Sequence, residues 1–176
     1  VTVTATFAPL PDTTPDPFSF AAQVDVAAGS VRTSNAVTPV GFDTAAPVAV
    51  AGGEYSIGCG ASFTAAPGVL SPGQSICVRH VAAATPSSTV TTLLDIGGTL
   101  GAFSSTTAAP VFHALSVATA GAGAGSVASQ PAGIACGADC DESYLAGTVV
   151  TLVAAPDAGS TFGGWSGACA GSGARV

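Results

Sequence analysis

Short runs of β-forming residues, separated by turn residues, recur along most of this chain. Between Phe18 and Thr107, about seven such runs alternate with turn signals such as Gly29, Gly41 and Gly97-Gly98. No window carries the 3.6-residue apolar period of an amphipathic helix. Many short strands at regular spacing are typical of an antiparallel β-sandwich. We therefore predict an all-β fold with a sandwich over residues 18–109.

Proline marks the start of this predicted sandwich. Residues 9–17 contain four prolines in nine positions. Proline has no backbone N–H to give to a sheet, so this segment is predicted to be a stiff, extended linker. It follows a predicted strand at residues 1–8, in which apolar side chains alternate with threonines. The apolar positions of this strand are Val1, Val3, Ala5 and Phe7.

A boundary between predicted domains lies at Ala108-Ala-Pro-Val-Phe112. It precedes a smaller predicted β-domain over residues 110–176. From Gly125 onward, this domain contains Gly147-Thr-Val-Val-Thr-Leu152 and ends in Phe162-Gly-Gly-Trp165-Ser-Gly-Ala-Cys169. The order of these motifs closely resembles the bacterial InlB B-type repeat. Residues 12–107, with Gly52-Gly-Glu-Tyr-Ser-Ile57, resemble an Ig-like repeat of bacterial surface proteins. Both resemblances imply secreted or surface-anchored stalk, adhesin or fibre modules without catalytic residues.

The InlB-like pattern continues beyond Trp-Ser-Gly-x-Cys into a closing strand, and residues 1–7 look like that strand. The sequence ends at Val176, before such a strand, so the closing strand is expected at the other end of the chain. Three arrangements follow: donation from the next copy of the chain, fold-back within the chain, or a longer tandem-repeat polypeptide. We favour donation between copies. Pairing of residues 1–7 with the sandwich itself is the plainer alternative.

Composition excludes several classes of function. The chain has ten acidic residues against three arginines and no lysine, a net charge of −7, so nucleic acid is not an expected partner. No run approaches the ~18 apolar residues of a membrane-spanning helix. Two histidines and scattered acids provide little for acid–base catalysis, so we predict neither an enzyme nor a cofactor.

Five cysteines in a chain of this composition indicate an oxidising, extracellular compartment. Cys59 and Cys77 lie on successive predicted strands and are candidates for one disulfide. Cys136 and Cys140 flank a short turn, where the InlB-like pattern carries a local pair. Cys169 is left over, either free or paired between chains. The cysteines do not have the paired spacing of zinc-finger ligands, so no metal site is predicted.

Two further groups of residues have a functional and a plainer interpretation. Trp165, with Phe162, is either a sugar-stacking aromatic or part of a small core. Asp139, Asp141 and Glu142 are either a Ca²⁺ site or, as we favour, a solvated acidic turn.

The sequence thus predicts a subunit or repeat of an extracellular bacterial filament, with copies of itself as partners. The alternative is a stalk or adhesion module of a bacterial cell-surface protein that binds a surface glycan or another cell-surface ligand.

Overall fold

The structure, a computed structural model, describes residues 2–176. These residues form strands, turns and extended segments without a helix, which confirms the predicted all-β fold class. Backbone contacts divide the chain after Ala109 into unit 1 and unit 2, the latter comprising Pro110–Val176. Among the described residues there is no helix of the length and apolarity needed to span a membrane.

Unit 1 contains two sheets built from β1 to β8. These strands are Gln23–Val26, Val31–Thr33, Ala46–Ala51, Glu54–Ile57, Gly68–Leu70, Ile76–Val81, Thr89–Ile96 and Thr99–Thr107. One sheet has the order β1-β8-β7-β3-β5 and the other the order β2-β6-β4. The pairs are antiparallel except for β1, which lies parallel to β8. The longest hairpin, β7–β8, turns at Gly97-Gly98.

The two sheets of unit 1 enclose one apolar core. Leu94 and Phe103 come from the larger sheet, and Ile76 and Val78 come from the smaller one, all without solvent exposure. Their burial follows the period-two alternation of the strands, which places every second side chain between the sheets. Unit 1 is therefore the sandwich that the strand pattern predicts.

Part of the proline-rich segment is hydrogen-bonded to the sandwich of unit 1. Residues 2–22 form no strand, but Pro15 is buried and its carbonyl accepts a hydrogen bond from Thr99 Oγ1 at 2.8 Å. The Asp16 N–H donates to the Val40 carbonyl at 2.8 Å. Gly97 lies so close to Thr13 that a side chain at Gly97 would collide with the Thr13 carbonyl. The second half of the segment predicted as a linker over residues 9–17 is thus fixed to unit 1.

Unit 2 contains β9 to β13 in two small sheets. These strands are Phe112–Ser116, Gly125–Gln130, Ala135–Cys136, Asp141–Leu145 and Thr151–Pro156. One sheet has the order β11-β10-β13, and β12 pairs with β9 in the other. Val127, Ile134 and Leu152 form its buried centre, and Leu115 and Trp165 pack against them half-buried.

The C-terminal residues add to the first of these sheets. Leu152 and Val176 exchange two backbone hydrogen bonds, at 2.8 and 3.1 Å, and the Ala154 N–H donates to the Ala174 carbonyl at 2.9 Å. A short extended segment at residues 174–176 therefore covers the outer edge of β13.

Candidate interaction site

The N-terminal segment exposes apolar side chains without a partner. Thr2–Ala8 form no strand and are all exposed, with Val3 at 89% and Phe7 at 94% of their full exposure. Ala5 lies between them on the same alternating face, while Val1 falls outside the described residues. Within unit 1, residues 2–7 pair with no strand, so pairing of this segment with the sandwich is not observed. Its alternation of apolar and threonine side chains still suits a strand with one buried face.

Unit 2 contains an open cleft of about 490 Å³. Seven residues of its small core or packed against that core also line the cleft: Leu115, Val117, Val127, Leu152, Ala154, Phe162 and Trp165. Apolar side chains of a closed core lose all contact with water, whereas four of these seven remain half-exposed. The cleft therefore leaves part of the small core of unit 2 exposed to solvent.

Trp165 contributes to this cleft but is already engaged. Its ring lies 5.1 Å from that of Phe162 at an interplanar angle of 58°. Its indole Nε1 donates to the Gly173 carbonyl at 2.9 Å, and its backbone pairs with Gly171. Trp165 thus fixes the segment that leads to the C-terminal residues, and one face of the aromatic pair borders the cleft.

The cysteines form two disulfides, one in each unit. Cys59 in the turn after β4 is bonded to Cys77 in β6, and Cys136 is bonded to Cys140. Cys169 is exposed and forms no disulfide in the part of the chain that the structure describes. Cys59 follows β4 directly and Cys77 lies in β6, and the pairing of β4 with β6 brings the two cysteines together.

The acidic side chains near Cys140 accept hydrogen bonds from other groups of unit 2, and Asp141 accepts one from the Ser116 hydroxyl on β9. Asp139 accepts a hydrogen bond from the Asp141 N–H at 3.4 Å, and Glu142 accepts one from the Ser143 N–H at 2.7 Å. Within residues 2–176, no group of three or more histidine, cysteine or acidic side chains is placed to hold a metal ion.

A buried polar cluster in unit 1 is not apparent from the sequence. His80 Nδ1 lies 2.8 Å from Thr92 Oγ1, and His80 Nε2 lies 2.7 Å from Ser105 Oγ. All three side chains are buried, and the ring of His80 stacks on Phe103 at 4.8 Å. Burial lowers the pKa of His80, which favours the neutral imidazole. Each ring nitrogen of His80 thus has a buried hydroxyl as its hydrogen-bond partner.

One comparison with known proteins identifies a relative of unit 2. Residues 115–175 match the family model of the divergent InlB B-repeat domain. This match confirms the resemblance of the C-terminal part to the InlB B-type repeat. No curated protein and no solved structure matches the chain. The InlB-like match indicates a repeat module of the kind found in bacterial surface proteins, a class that suggests a non-catalytic role.

Proposed function

We propose that this chain is a structural subunit or repeat of an extracellular bacterial filament, in which residues 1–8 of one copy complete unit 2 of the next copy. The observation that carries the proposal is the exposed, unpaired segment Thr2–Ala8, whose Val3 and Phe7 are 89% and 94% exposed. A flexible terminus is ordinarily polar, and this one has the pattern of a half-buried strand.

Donation of this strand would bury apolar side chains that a single copy leaves exposed. Burial of Val3 and Phe7 contributes about 1.5–3 kcal/mol for each side chain before the entropy of ordering is subtracted. Main-chain hydrogen bonds along the new strand add to this. Because donor and acceptor are different surfaces, each copy can donate to one neighbour and accept from another. Such a head-to-tail contact, when it does not close into a ring, produces a filament.

Other features suit a fibre exposed outside the cell. The InlB-like unit 2 belongs to a type of module found in bacterial surface proteins. Two disulfides stabilise the units, one in each, as expected in an oxidising compartment. Attachment of residues 12–17 to unit 1 leaves a short free arm, which restricts the positions that the donated strand can reach.

Sedimentation velocity of the intact chain over a range of concentrations tests this proposal. Large, concentration-dependent assemblies are expected from the native chain, and Phe7→Asp should abolish them because a charge would enter the buried face of the strand. Leu10→Asp is the matched control, since Leu10 is 89% exposed but lies between two prolines, outside the donated strand. A native chain that stays monomeric at all concentrations would refute the proposal, as would assemblies unaffected by Phe7→Asp.

A stalk or adhesion module that binds a surface glycan is the second candidate. It is favoured by the rings of Phe162 and Trp165, which border the apolar cleft of unit 2. In that case soluble oligosaccharides should quench the fluorescence of Trp165, the only tryptophan, in a chain that remains monomeric. Unchanged fluorescence across neutral and acidic oligosaccharides would remove this candidate.

A further inference from the structure

We infer that the outer edge of β9 is the acceptor site for the donated strand, with residues 3–7 of a second copy pairing along Phe112–Ser116. This inference rests on the proposed function and adds to it the location of the contact. The backbone hydrogen bonds of unit 2 leave the outer edge of β9 open and occupy the other strand edges of the unit.

The pairing of β9 with β12 determines which of its backbone groups are free. The Val117 N–H donates to the Cys140 carbonyl at 2.9 Å, and the Val111 carbonyl accepts from the Ala146 N–H at 2.8 Å. In an antiparallel pair the N–H and C=O of alternate residues point to opposite edges, so odd-numbered residues of β9 face β12. The backbone groups of Phe112, Ala114 and Ser116 therefore point to the other edge, where no strand of unit 2 pairs with them.

The outer edge of β12 has the same geometry but is protected. By the same alternation, Asp141, Ser143 and Leu145 point away from β9. The side chains of Asp139 and Glu142 accept the N–H groups of Asp141 and Ser143, and the Leu145 carbonyl accepts from Thr148 at 3.0 Å. Carboxylates on an edge strand also oppose the approach of another chain. This edge is thus closed to strand addition.

The three-stranded sheet of unit 2 offers no comparable edge. Residues 174–176 cover the outer side of β13. At the opposite side, β11 is only two residues long, and its Ala135 N–H is taken by the Asp139 carbonyl at 2.9 Å. Among the described strands of unit 2, β9 is therefore the one whose edge remains free over its whole length.

The side chains around this edge match those of the donor. β9 and the residue after it place Leu115 and Val117 on the face that lines the cleft, whereas Ala114 lies on the opposite face. A strand added to β9 with Val3, Ala5 and Phe7 toward the cleft would cover the exposed part of the small core, and its threonines would face solvent. Donor residues 3–7 and acceptor residues 112–116 are each five residues long.

Disulfide trapping between two differently labelled chains tests the location. Both chains carry Cys169→Ser, so that the introduced thiols are the only free ones. One chain carries Thr2→Cys, Thr4→Cys or Thr6→Cys in turn, which samples the register, and the other carries Ala114→Cys. The matched control places the acceptor thiol on the protected edge, as Ser143→Cys, which is equally exposed.

The expected result is a mixed disulfide dimer with Ala114→Cys and at least one donor position, several-fold above the yield with Ser143→Cys. If assembly depends on Phe7 but no donor position cross-links to Ala114→Cys, or Ser143→Cys cross-links equally well, the inference is overturned and the proposed function survives. If the intact chain forms no assemblies, both fail together.

A backbone substitution gives a second, independent readout. Ala114→Pro removes an N–H that points to the free edge and leaves the hydrogen bonds between β9 and β12 in place. It should prevent assembly of the full chain in sedimentation, whereas Ser143→Pro on the other edge should not. Circular dichroism and intact disulfides identify variants that retain the fold. Normal assembly by folded Ala114→Pro would overturn the inference.

Discussion

The hydroxyl of Tyr144 donates to Ser129 Oγ at 2.6 Å and thereby joins the two sheets of unit 2. Ser129 Oγ also accepts the buried Ile134 N–H at 2.9 Å and donates to the Pro131 carbonyl at 2.8 Å. One serine on β10 thus satisfies three groups from three parts of unit 2. Because the core of unit 2 is small, the hydrogen bonds of Ser129 contribute strongly to the relative position of the two sheets.

Ser129→Ala should lower the free energy of unfolding of unit 2 by about 1–3 kcal/mol, because the Ile134 N–H loses its partner in a buried position. Urea unfolding followed by the fluorescence of Trp165 in unit 2 measures this change. Ser126→Ala, at an exposed position of the same strand, is the control and should change stability little. An equal effect of the two substitutions would contradict the role assigned to Ser129.

Unit 1 should lose stability as the pH falls below neutrality, because burial lowers the pKa of His80 from its ordinary value of 6.5. Below pH 6.5 the unfolded chain binds a proton that the folded chain does not, so the stability that is present above pH 6.5 is lost as the pH falls toward the folded pKa. Amide exchange in β6 to β8 between pH 8 and 5, corrected for intrinsic exchange rates, follows this loss.

Two variants test this pH effect: His80→Gln, which removes the buried imidazole, and His113→Gln, which is the matched control. The former should flatten the dependence between pH 7 and 5, while the latter should retain it because His113 is exposed on β9. Retention of the full slope in His80→Gln would assign the pH dependence to another group. The carboxyl of Asp43 does not interfere, since the Asp12 N–H and Thr44 hydroxyl lower its pKa below the ordinary 3.8.

Removal of the disulfides should affect the two units unequally. The Cys59–Cys77 bond spans 18 residues and the Cys136–Cys140 bond spans four. Loop-closure entropy predicts losses of about 3 and about 2 kcal/mol when each pair is replaced by alanine. Urea unfolding of the two variants, each with both cysteines of one disulfide replaced, measures which loss of stability is larger. A larger loss for Cys136 and Cys140 would show that the local bond acts through native contacts instead.

Trp165→Ala should loosen the C-terminal segment on β13, because it removes the indole hydrogen bond to the Gly173 carbonyl and the packing of the ring against Phe162. We expect at least tenfold faster amide exchange at Ala154 and Val176, with exchange in unit 1 unchanged. Trp165→Phe keeps an aromatic ring beside Phe162 but loses the hydrogen bond to Gly173, and should give an intermediate rate. Unchanged exchange at Val176 in Trp165→Ala would show that the segment is held by β13 alone.

Much of this fold is predictable from local patterns, because the period-two alternation and the glycine turns are local signals. Phe103 and Leu94 lie on the buried face of a hairpin that the predicted turn at Gly97-Gly98 closes. The InlB-like motifs ending in Trp165 likewise identify unit 2 before its strands are known. These features depend on residues that are close in sequence.

Features that depend on distant residues are not predictable in this way. The attachment of Pro15 to Thr99 joins positions 84 residues apart, so the prolines alone predict only a stiff, extended linker over residues 9–17. The His80 cluster gathers side chains from three strands. The protection of β12 by Asp139 and Glu142 depends on which carboxylate faces which N–H, and acidic composition alone also suggests a cation site.

Negative-stain electron microscopy of the intact chain, beside the chain that lacks residues 1–8, tests the central claim most directly. Strand donation predicts filaments from the intact chain and dispersed single particles from the truncated one, with unit 1 folded in both. Filaments from the truncated chain would contradict strand donation, and dispersed particles from the intact chain would contradict assembly into a filament.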